Sequence, residues 1–101
     1  MNDAPLEKYI QRRIQKELKK LGHRSVKYPG GRFGETGVSD LLCCICGRFV
    51  AIEVKRPGKQ ATGPQRAFLD SIRASGGLTM VGRSWEHVAA FLWGIWWKRE
   101  L

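Results

Sequence analysis

The sequence predicts an α/β protein whose elements follow the order helix, three strands, helix, strand, helix. Three observations lead to this prediction. Apolar residues recur at helical spacing in segments 5–22 and 62–77 and again near the C-terminus. Two short apolar runs flank Gly47. A further apolar run, 78–83, follows the second helical segment. A chain of 101 residues is long enough for one hydrophobic core and too short for two, so residues 1–101 are expected to form one domain.

The first segment, 5-PLEKYIQRRIQKELKKLG-22, predicts an amphipathic helix between a proline and a glycine. Its apolar stripe consists of Leu6, Ile10, Ile14, Leu18 and Leu21. Its other side carries the cations Lys8, Arg12, Arg13, Lys16, Lys19 and Lys20. A solvated face and a face that contacts phosphates both fit this charge distribution. Glu7 is the acid of the first turn and lies on the flank of the apolar stripe, where the helix N-terminus favours a negative charge.

A short extended piece around residues 26–28 and a glycine-rich stretch, 29–37, come next. The glycines allow a close approach of the backbone to a ligand, and they equally suit a simple turn of the chain. Neither glycine spacing that is typical of phosphate-binding nucleotide loops occurs here, so no nucleotide cofactor is expected.

Residues 38–47 and 48–57 predict two strands joined by a tight turn around Gly47. A Cys46-Gly47 turn places Asp40 directly opposite Glu53, whereas a Gly47-Arg48 turn places Asp40 opposite Lys55. Because side chains two apart on a strand share a face, either turn gathers Asp40, Glu53 and Lys55 on one face of the sheet. A three-residue turn would put Asp40 on the other face.

The second helix, within 62–77, is predicted to begin at a Thr62 cap with Pro64 in its first turn and to stop at two glycines. Its apolar stripe is Phe68, Leu69 and Ile72. The run 78-LTMVGR-83 reads as a strand, and Ser84 is predicted to cap the last helix.

The last helix carries two apolar stripes. The core stripe consists of Trp85, Val88, Ala89, Leu92, Ile95 and Trp96. A second stripe beside it consists of Ala90, Trp93 and Trp97. A helix that is apolar on most sides requires burial by a further surface, which an identical subunit can supply. The alternative is that these tryptophans pack under the first helix.

Composition indicates a polyanionic partner, because 18 Lys and Arg against nine Asp and Glu give a net charge of +9. Nucleic acid fits better than an acidic membrane surface. The sequence has neither an apolar segment of membrane-spanning length nor the apolar centre of a signal peptide, so an intracellular location and no membrane partner are expected. The three cysteines of 43-CCIC-46 read as small thiol-bearing strand residues rather than zinc ligands, because no paired Cys-x-x-Cys spacing occurs.

Two carboxylates and an amine on one face of a strand pair suit metal-assisted hydrolysis of a phosphodiester. Asp40 and Glu53 offer the hard oxygen ligands that Mg²⁺ or Mn²⁺ prefers. Lys55 beside such an ion can orient the attacking water or stabilise the charge that develops on the phosphate. A structural salt bridge from Lys55 to either carboxylate fits the same spacing.

This pattern, Asp40 followed after a short hairpin by Glu53-x-Lys55, resembles the PD-(D/E)xK nuclease superfamily. The segments 37-GVSD-40, 53-EVK-55 and 65-QRAFLDSIRASGG-77 resemble the VRR-NUC family more closely, over residues 6–92. The resemblance implies an α/β fold, a single restriction-endonuclease-like domain with an αβββαβ core, a mixed central sheet flanked by helices, and a C-terminal helix. Ser39 occupies the position of the proline in the superfamily's name.

The resemblance also implies residue roles. Asp40 and Glu53, with the backbone carbonyl of Val54, match the family's ligands for Mg²⁺ or Mn²⁺, and Lys55 matches the catalytic lysine. Glu7 matches a first-helix acid that acts through a water molecule. The glutamine at the start of the second helix, Gln65, matches a residue near the scissile phosphate.

Stand-alone VRR-NUC proteins, found in phages and bacteria, are similar in fold to archaeal Holliday junction resolvases. This resemblance implies a homodimer that cleaves four-way DNA junctions in the cytoplasm of a bacterial or phage-infected cell. The expected DNA-binding residues are Arg12, Arg13, Lys16, Lys19, Lys20 and Arg32. Two alternatives stay open: a nuclease that acts on flapped, nicked or linear DNA, and a basic nucleic-acid-binding protein without catalytic activity.

Overall fold

The computed structural model describes residues 6–29 and 34–99, with the backbone alone for 95–99. The elements are α1 (Glu7–Lys20), β1 (Arg24–Lys27), β2 (Leu41–Ile45), β3 (Arg48–Val54), α2 (Gly63–Ala74), β4 (Leu78–Gly82) and α3 (Trp85–Arg99). Their order is the predicted one. Within the described part of the chain, none of the helices combines the length and apolarity that crossing a bilayer requires.

The four strands form one sheet in the order β1-β2-β3-β4. The pairs β1·β2 and β2·β3 are antiparallel, and β3·β4 is parallel. A parallel neighbour needs a crossover connection, which α2 supplies between β3 and β4. The sheet is therefore mixed, which confirms the prediction.

The β2–β3 hairpin settles the register that the sequence left open. Ile45 pairs with Arg48, so the turn consists of Cys46 and Gly47. Both turn residues have positive φ, 52° and 77°, as a two-residue turn of type I′ requires. Leu41 pairs with Ile52, and one further step of the same register puts Asp40 opposite Glu53. The first of the two predicted turns is correct.

One face of the sheet packs against α1 and α3. Its buried cluster contains Ile10, Ile14, Leu18, Leu41, Cys43, Ile45, Val50, Ile52, Val54, Met80, Val88 and Leu92. Each large aliphatic side chain buried in this way contributes about 1.5 to 3 kcal/mol to stability. The opposite face carries α2, since the side chains of Phe49 on β3 and Ile72 on α2 both lie close to Gly77.

The predicted apolar stripe of α1 is buried only in its middle. Leu6 and Leu21 are exposed, because the helix begins at Glu7 and ends at Lys20 and these two leucines are its flanking cap residues. Leu21 instead lines an apolar groove with Trp85, Leu92 and Trp93. The prediction that the stripe extends from Leu6 to Leu21 was therefore too long by one residue at each end.

Side-chain caps define where the other two helices begin. Thr62 Oγ1 accepts a hydrogen bond from the Gln65 backbone N–H at 3.4 Å, and Gln65 Oε1 accepts one from the Thr62 N–H at 2.9 Å. This reciprocal pair is a capping box. Ser84 Oγ accepts from the His87 N–H at 3.0 Å. Both predicted caps are confirmed.

Of the second apolar stripe on α3, Ala90 and Trp93 are exposed, with Trp93 66% accessible. Trp93 is therefore not buried, although it lines the apolar groove together with Leu21 at the end of α1. The side chains of Ile95, Trp96 and Trp97 lie outside the described residues. Cys43 is buried, and burial raises the pKa of its thiol to about 12, consistent with a role as an inert strand residue.

Candidate active site

Three elements meet at one end of the sheet. Because β2 and β3 are antiparallel, the beginning of β2 lies beside the end of β3. Asp40 directly precedes β2, and Lys55 directly follows β3. The first turn of α1 joins them, since Glu7 Oε2 accepts a hydrogen bond from the Arg56 backbone N–H at 3.3 Å. Four of the predicted site residues, Glu7, Asp40, Glu53 and Lys55, therefore come together.

Asp40 is held by the backbone on both of its sides. Its Oδ2 accepts a hydrogen bond from the Val54 N–H at 2.8 Å, and its main-chain carbonyl accepts one from the Tyr28 N–H at 2.9 Å. The first bond ties the carboxylate to the strand that carries Glu53. Asp40 therefore contacts Val54 through the Val54 N–H, whereas the predicted metal ligand of Val54 is its carbonyl oxygen.

Glu53 is a buried acid with an incomplete set of partners. The residue is 2% exposed, and its Oε1 is buried without a hydrogen-bond partner. Its Oε2 lies 4.0 Å from Lys55 Nζ. Burial raises the pKa of Glu53 to about 8, with further upward contributions from Asp40 and Glu7 that outweigh the lowering effect of Lys55. Near neutral pH this carboxyl group therefore tends to keep a proton unless a cation compensates for its charge.

Lys55 is also largely enclosed, with its side chain 13% exposed. Its backbone N–H donates to the Gly82 carbonyl at 3.1 Å, which extends the β3–β4 pairing by one residue. The backbone of Lys55 is thus joined to the end of the sheet. A cation fixed in this way keeps its position when charge develops nearby.

A shallow cleft of about 200 Å³ opens onto the site. It is lined by Glu7, Lys8, Gln11, Lys27, Asp40 and Val54. Gln11 was not among the predicted site residues; it is buried and donates from Nε2 to Gln15 Oε1. Its position four residues after Glu7, on the same side of α1, was the signal that could have found it.

Gly37 explains why the segment that leads to Asp40 begins with glycine. Its φ is +83°, and a Cβ at this position would lie 2.5 Å from the Pro64 carbonyl oxygen. The segment therefore packs directly on the first turn of α2, where any side chain at residue 37 would collide with backbone. This contact fixes the approach of the chain to Asp40.

Gln65, the fifth predicted catalytic residue, lies in that same first turn. Its side-chain oxygen accepts the Thr62 N–H in the capping box, so the structure gives it a local structural role. The T-x-x-Q spacing of residues 62–65 was the sequence signal for this role. Proximity of Gln65 to the scissile phosphate stays a prediction.

The predicted DNA-binding cations on α1 are exposed. They are Arg12, Arg13, Lys16, Lys19 and Lys20. Arg13 lies 3.6 Å from Glu86, and Lys20 lies 3.4 Å from Glu17, both at the surface. The 14 residues of α1 extend about 20 Å from the site at Glu7. Arg32 lies outside the described residues.

The donor set at the site fits a hard divalent cation. Asp40 and Glu53 supply carboxylate oxygens, and the backbone carbonyl of Val54 can complete the set. The orphaned, buried Oε1 of Glu53 is the kind of atom that a cation would satisfy. In the described residues no three His, Cys, Asp or Glu side chains cluster for metal binding, so a cation here would depend on two side chains, the main chain and water.

Neither a family model nor a curated protein matches this sequence. Solved structures do match it. A structure described as a VRR_NUC domain shares 23% identity at a TM-score of 0.73 and covers 85% of this chain and 92% of its own. A VRR_NUC domain protein shares 18% identity at a TM-score of 0.74, with 89% and 87% covered. The chain has the VRR_NUC fold.

A third match widens the comparison. Hjc, a Holliday junction resolvase from the archaeon Archaeoglobus fulgidus, shares 20% identity at a TM-score of 0.61, with 76% of this chain and 67% of Hjc covered. The predicted restriction-endonuclease-like architecture is therefore confirmed. In the VRR_NUC fold of this chain, the four acidic and basic site residues occupy the end of the sheet where β2 begins and β3 ends.

Proposed function

We propose that this protein is a metal-dependent, structure-selective DNA endonuclease that cleaves four-way junctions as a homodimer. The observation that carries the proposal is Glu53, a buried carboxyl group with one unsatisfied oxygen, which lies opposite Asp40 and 4.0 Å from Lys55. A buried carboxyl group without a full set of partners is retained against its desolvation cost when it serves a ligand or a reaction. The VRR_NUC fold of the chain supports the choice of phosphodiester hydrolysis.

Asp40, Glu53 and the Val54 carbonyl would hold Mg²⁺ or Mn²⁺. The bound ion supplies positive charge for the scissile phosphate and makes a water molecule more acidic. Lys55 contributes its own fixed positive charge beside Glu53, where it can orient the attacking water and stabilise the phosphate oxygens as their charge grows. Glu7 lines the same cleft and holds the Arg56 N–H, which keeps α1 against the site.

DNA as the substrate is supported by the net charge of +9 and by the exposed cations of α1, which begins at the site. The branched substrate is supported by the fold shared with Hjc, which is a Holliday junction resolvase. Paired cuts in a symmetric junction require two active sites, and each chain carries one such constellation. The exposed Trp93 and the apolar groove beside it offer a surface that a second copy could bury.

The test compares the wild type with Asp40→Asn and the matched control Asp70→Asn. Asparagine can still accept the Val54 N–H, so the Asp40 variant is expected to fold, whereas Asp70 is an exposed residue of α2. The substrates are an end-labelled four-way junction and a linear duplex of the same sequence, each with Mg²⁺, Mn²⁺ or EDTA. Sedimentation analysis measures the oligomeric state of the free protein and of the junction complex.

Paired, metal-dependent cuts near the branch point that vanish only in the Asp40 variant, from a two-chain complex, are the expected result. Cleavage of linear or flapped DNA at an equal rate would replace junction selectivity with a broader nuclease activity. Salt-sensitive binding by all three proteins, with every substrate left intact, would favour a non-catalytic nucleic-acid-binding protein instead.

A further inference from the structure

Arg83, the residue that directly follows β4, was not identified as a site residue from the sequence, and its side chain contacts backbone atoms far from it along the chain. Its Nη1 donates to the carbonyl of Arg56 at 3.1 Å and to the carbonyl of Lys59 at 2.6 Å. One guanidinium thus bridges two backbone oxygens of the loop that follows β3. Hydrogen bonds from a charged donor are about twice as strong as those between neutral groups.

The loop at these oxygens is a tight turn that begins one residue after Lys55. The Lys59 N–H donates to the Arg56 carbonyl at 3.1 Å, and Gly58 has a φ of +87° after Pro57. This is the pattern of a type II turn, with proline at its second position and glycine at its third. The internal hydrogen bond of the turn uses the Arg56 carbonyl, so Arg83 adds a second bond to that oxygen and supplies one to the Lys59 carbonyl.

The backbone around Lys55 has two further attachments. The Lys55 N–H donates to the Gly82 carbonyl, and the Arg56 N–H donates to Glu7 Oε2. Lys55 itself lies one residue beyond the last residue of β3. The position of its amine beside Glu53 therefore depends on three contacts, from α1, from the end of β4 and from the Arg83 guanidinium.

We propose that Arg83 is a positioning residue for Lys55, which acts by fixing the turn 56–59 through the carbonyls of Arg56 and Lys59. The inference rests on the proposed function, in which Lys55 provides the positive charge. Arg83 also lines a cleft with Tyr9, Arg13 and Trp85, so direct contact with a DNA phosphate is the competing explanation that the experiment must separate.

The first readout concerns the turn and needs no catalysis. Arg83→Ala is compared with the wild type and with Arg73→Ala, which removes an arginine that bonds Thr79 at 2.7 Å and Asp70 at 3.1 Å but none of the turn. Amide hydrogen exchange is followed at Lys59, whose N–H shares the Arg56 carbonyl with Arg83. Exchange at Lys59 is expected to rise about tenfold or more in Arg83→Ala and to stay unchanged in Arg73→Ala.

The second readout separates binding from chemistry. Single-turnover cleavage of the junction by Arg83→Ala is expected to slow by about 10- to 100-fold, the effect of misplacing a catalytic group by roughly 1 Å. Junction affinity in EDTA should stay within about twofold. In a Lys55→Ala background the Arg83 substitution should slow the residual rate no further, because the two residues act through one group.

Arg83→Lys serves as the second variant if the alanine variant does not fold. Its single ammonium group can reach one carbonyl. Exchange at Lys59 and the cleavage rate should therefore lie between the values of the wild type and those expected for Arg83→Ala. Weaker junction binding with an unchanged single-turnover rate would overturn the proposal in favour of a phosphate contact. If Arg83→Ala cleaves the junction as fast as the wild type, the Arg83 proposal is wrong and the proposed function stands. If the wild type does not cleave DNA, the Arg83 proposal and the proposed function are both wrong.

Discussion

Two carboxylate–cation pairs in this protein differ in both distance and burial. The pair with the shorter distance is exposed, and the pair with the longer distance is buried. Arg73 and Asp70 on α2 lie 3.1 Å apart with side chains 62% and 72% exposed. Lys55 and Glu53 lie 4.0 Å apart with side chains 13% and 2% exposed. The short pair is solvated on the surface, where such contacts contribute about 0 to 1 kcal/mol. The long pair carries a desolvation cost that its geometry does not offset.

The difference in burial between the two pairs identifies the site more clearly than the distances between their charged atoms do. Within the described residues, Glu53 Oε1 is the buried side-chain oxygen that has no partner. A fold selected for stability alone would replace such a group with an apolar side chain. The presence of Glu53 at this position, despite its unsatisfied oxygen, is therefore best explained by a ligand that binds there.

The largest expected effect comes from removing the cation of the buried pair. Under the proposed function, Lys55→Met should slow single-turnover cleavage of a junction by about 100-fold or more, the usual effect of losing a group that stabilises transition-state charge. Arg73→Met should stay within about twofold, because its cation is solvated and lies on α2. Equal losses in both variants would mean that the buried pair has no special part in the reaction.

Metal binding in the absence of DNA should distinguish the carboxylate of Asp40 from that of Asp70. At Mg²⁺ concentrations about 100-fold above Kd, linkage adds about 2.7 kcal/mol to the stability of the folded protein. We expect thermal denaturation to show an increase in Tm for the wild type and for Asp70→Asn, and none for Asp40→Asn. A metal-dependent increase that persists in Asp40→Asn would place the cation elsewhere.

The raised pKa of Glu53 predicts how stability depends on pH in EDTA. Its pKa rises from 4.5 to about 8 on folding, so between these values the folded protein binds more protons than the unfolded chain. Stability should therefore fall as pH rises through this window. Since one unit of pKa corresponds to about 1.4 kcal/mol, Glu53→Gln should reduce the fall between pH 5 and pH 8 by at least about 1 kcal/mol.

Urea denaturation at several pH values measures this slope. Glu86→Gln is the matched control, because Glu86 is an exposed acid that pairs with Arg13 at the surface. Its pH dependence should follow that of the wild type. The interpretation of Glu53 fails if the Glu53→Gln protein loses as much stability as the wild type over the same pH range.

The smallest expected effect belongs to the exposed pair. Asp70→Asn should change the free energy of unfolding by less than about 0.5 kcal/mol, because the pair is solvated and joins residues three apart on one helix. Raising the salt concentration should reduce even this difference. A loss above about 1 kcal/mol would show that surface exposure does not decide the value of these pairs.

The clustering of the site was predictable where it depends on local periodicity. The spacing of Glu53 and Lys55 places both on one face of a strand, and a two-residue turn adds Asp40 to that face. The choice between the two turns was not predictable, because both Cys46-Gly47 and Gly47-Arg48 contain the glycine that a tight turn requires. The structure selected the first, and with it the pairing of Asp40 with Glu53.

Contacts between distant segments lay beyond the sequence. Arg83 bonds the carbonyls of residues 27 and 24 positions earlier, and Gly37 packs against Pro64 in the first turn of α2. No local pattern encodes such contacts, since they follow from the crossing of elements in space. Gln65 is the contrasting case, because the T-x-x-Q spacing of residues 62–65 is a local signal for its capping box, although Gln65 was predicted only as a catalytic residue.

The sequence by itself determined the order of the elements, the helix caps and the face shared by Asp40, Glu53 and Lys55, because these depend on repeats of two or 3.6 residues and on side chains that bond their near neighbours. Tertiary structure alone decided the depth of burial of Glu53, the unsatisfied oxygen that this burial creates, and the Arg83 contacts behind Lys55. The physical reason is desolvation: the pKa and the partners of a charged group depend on which remote elements exclude water from it.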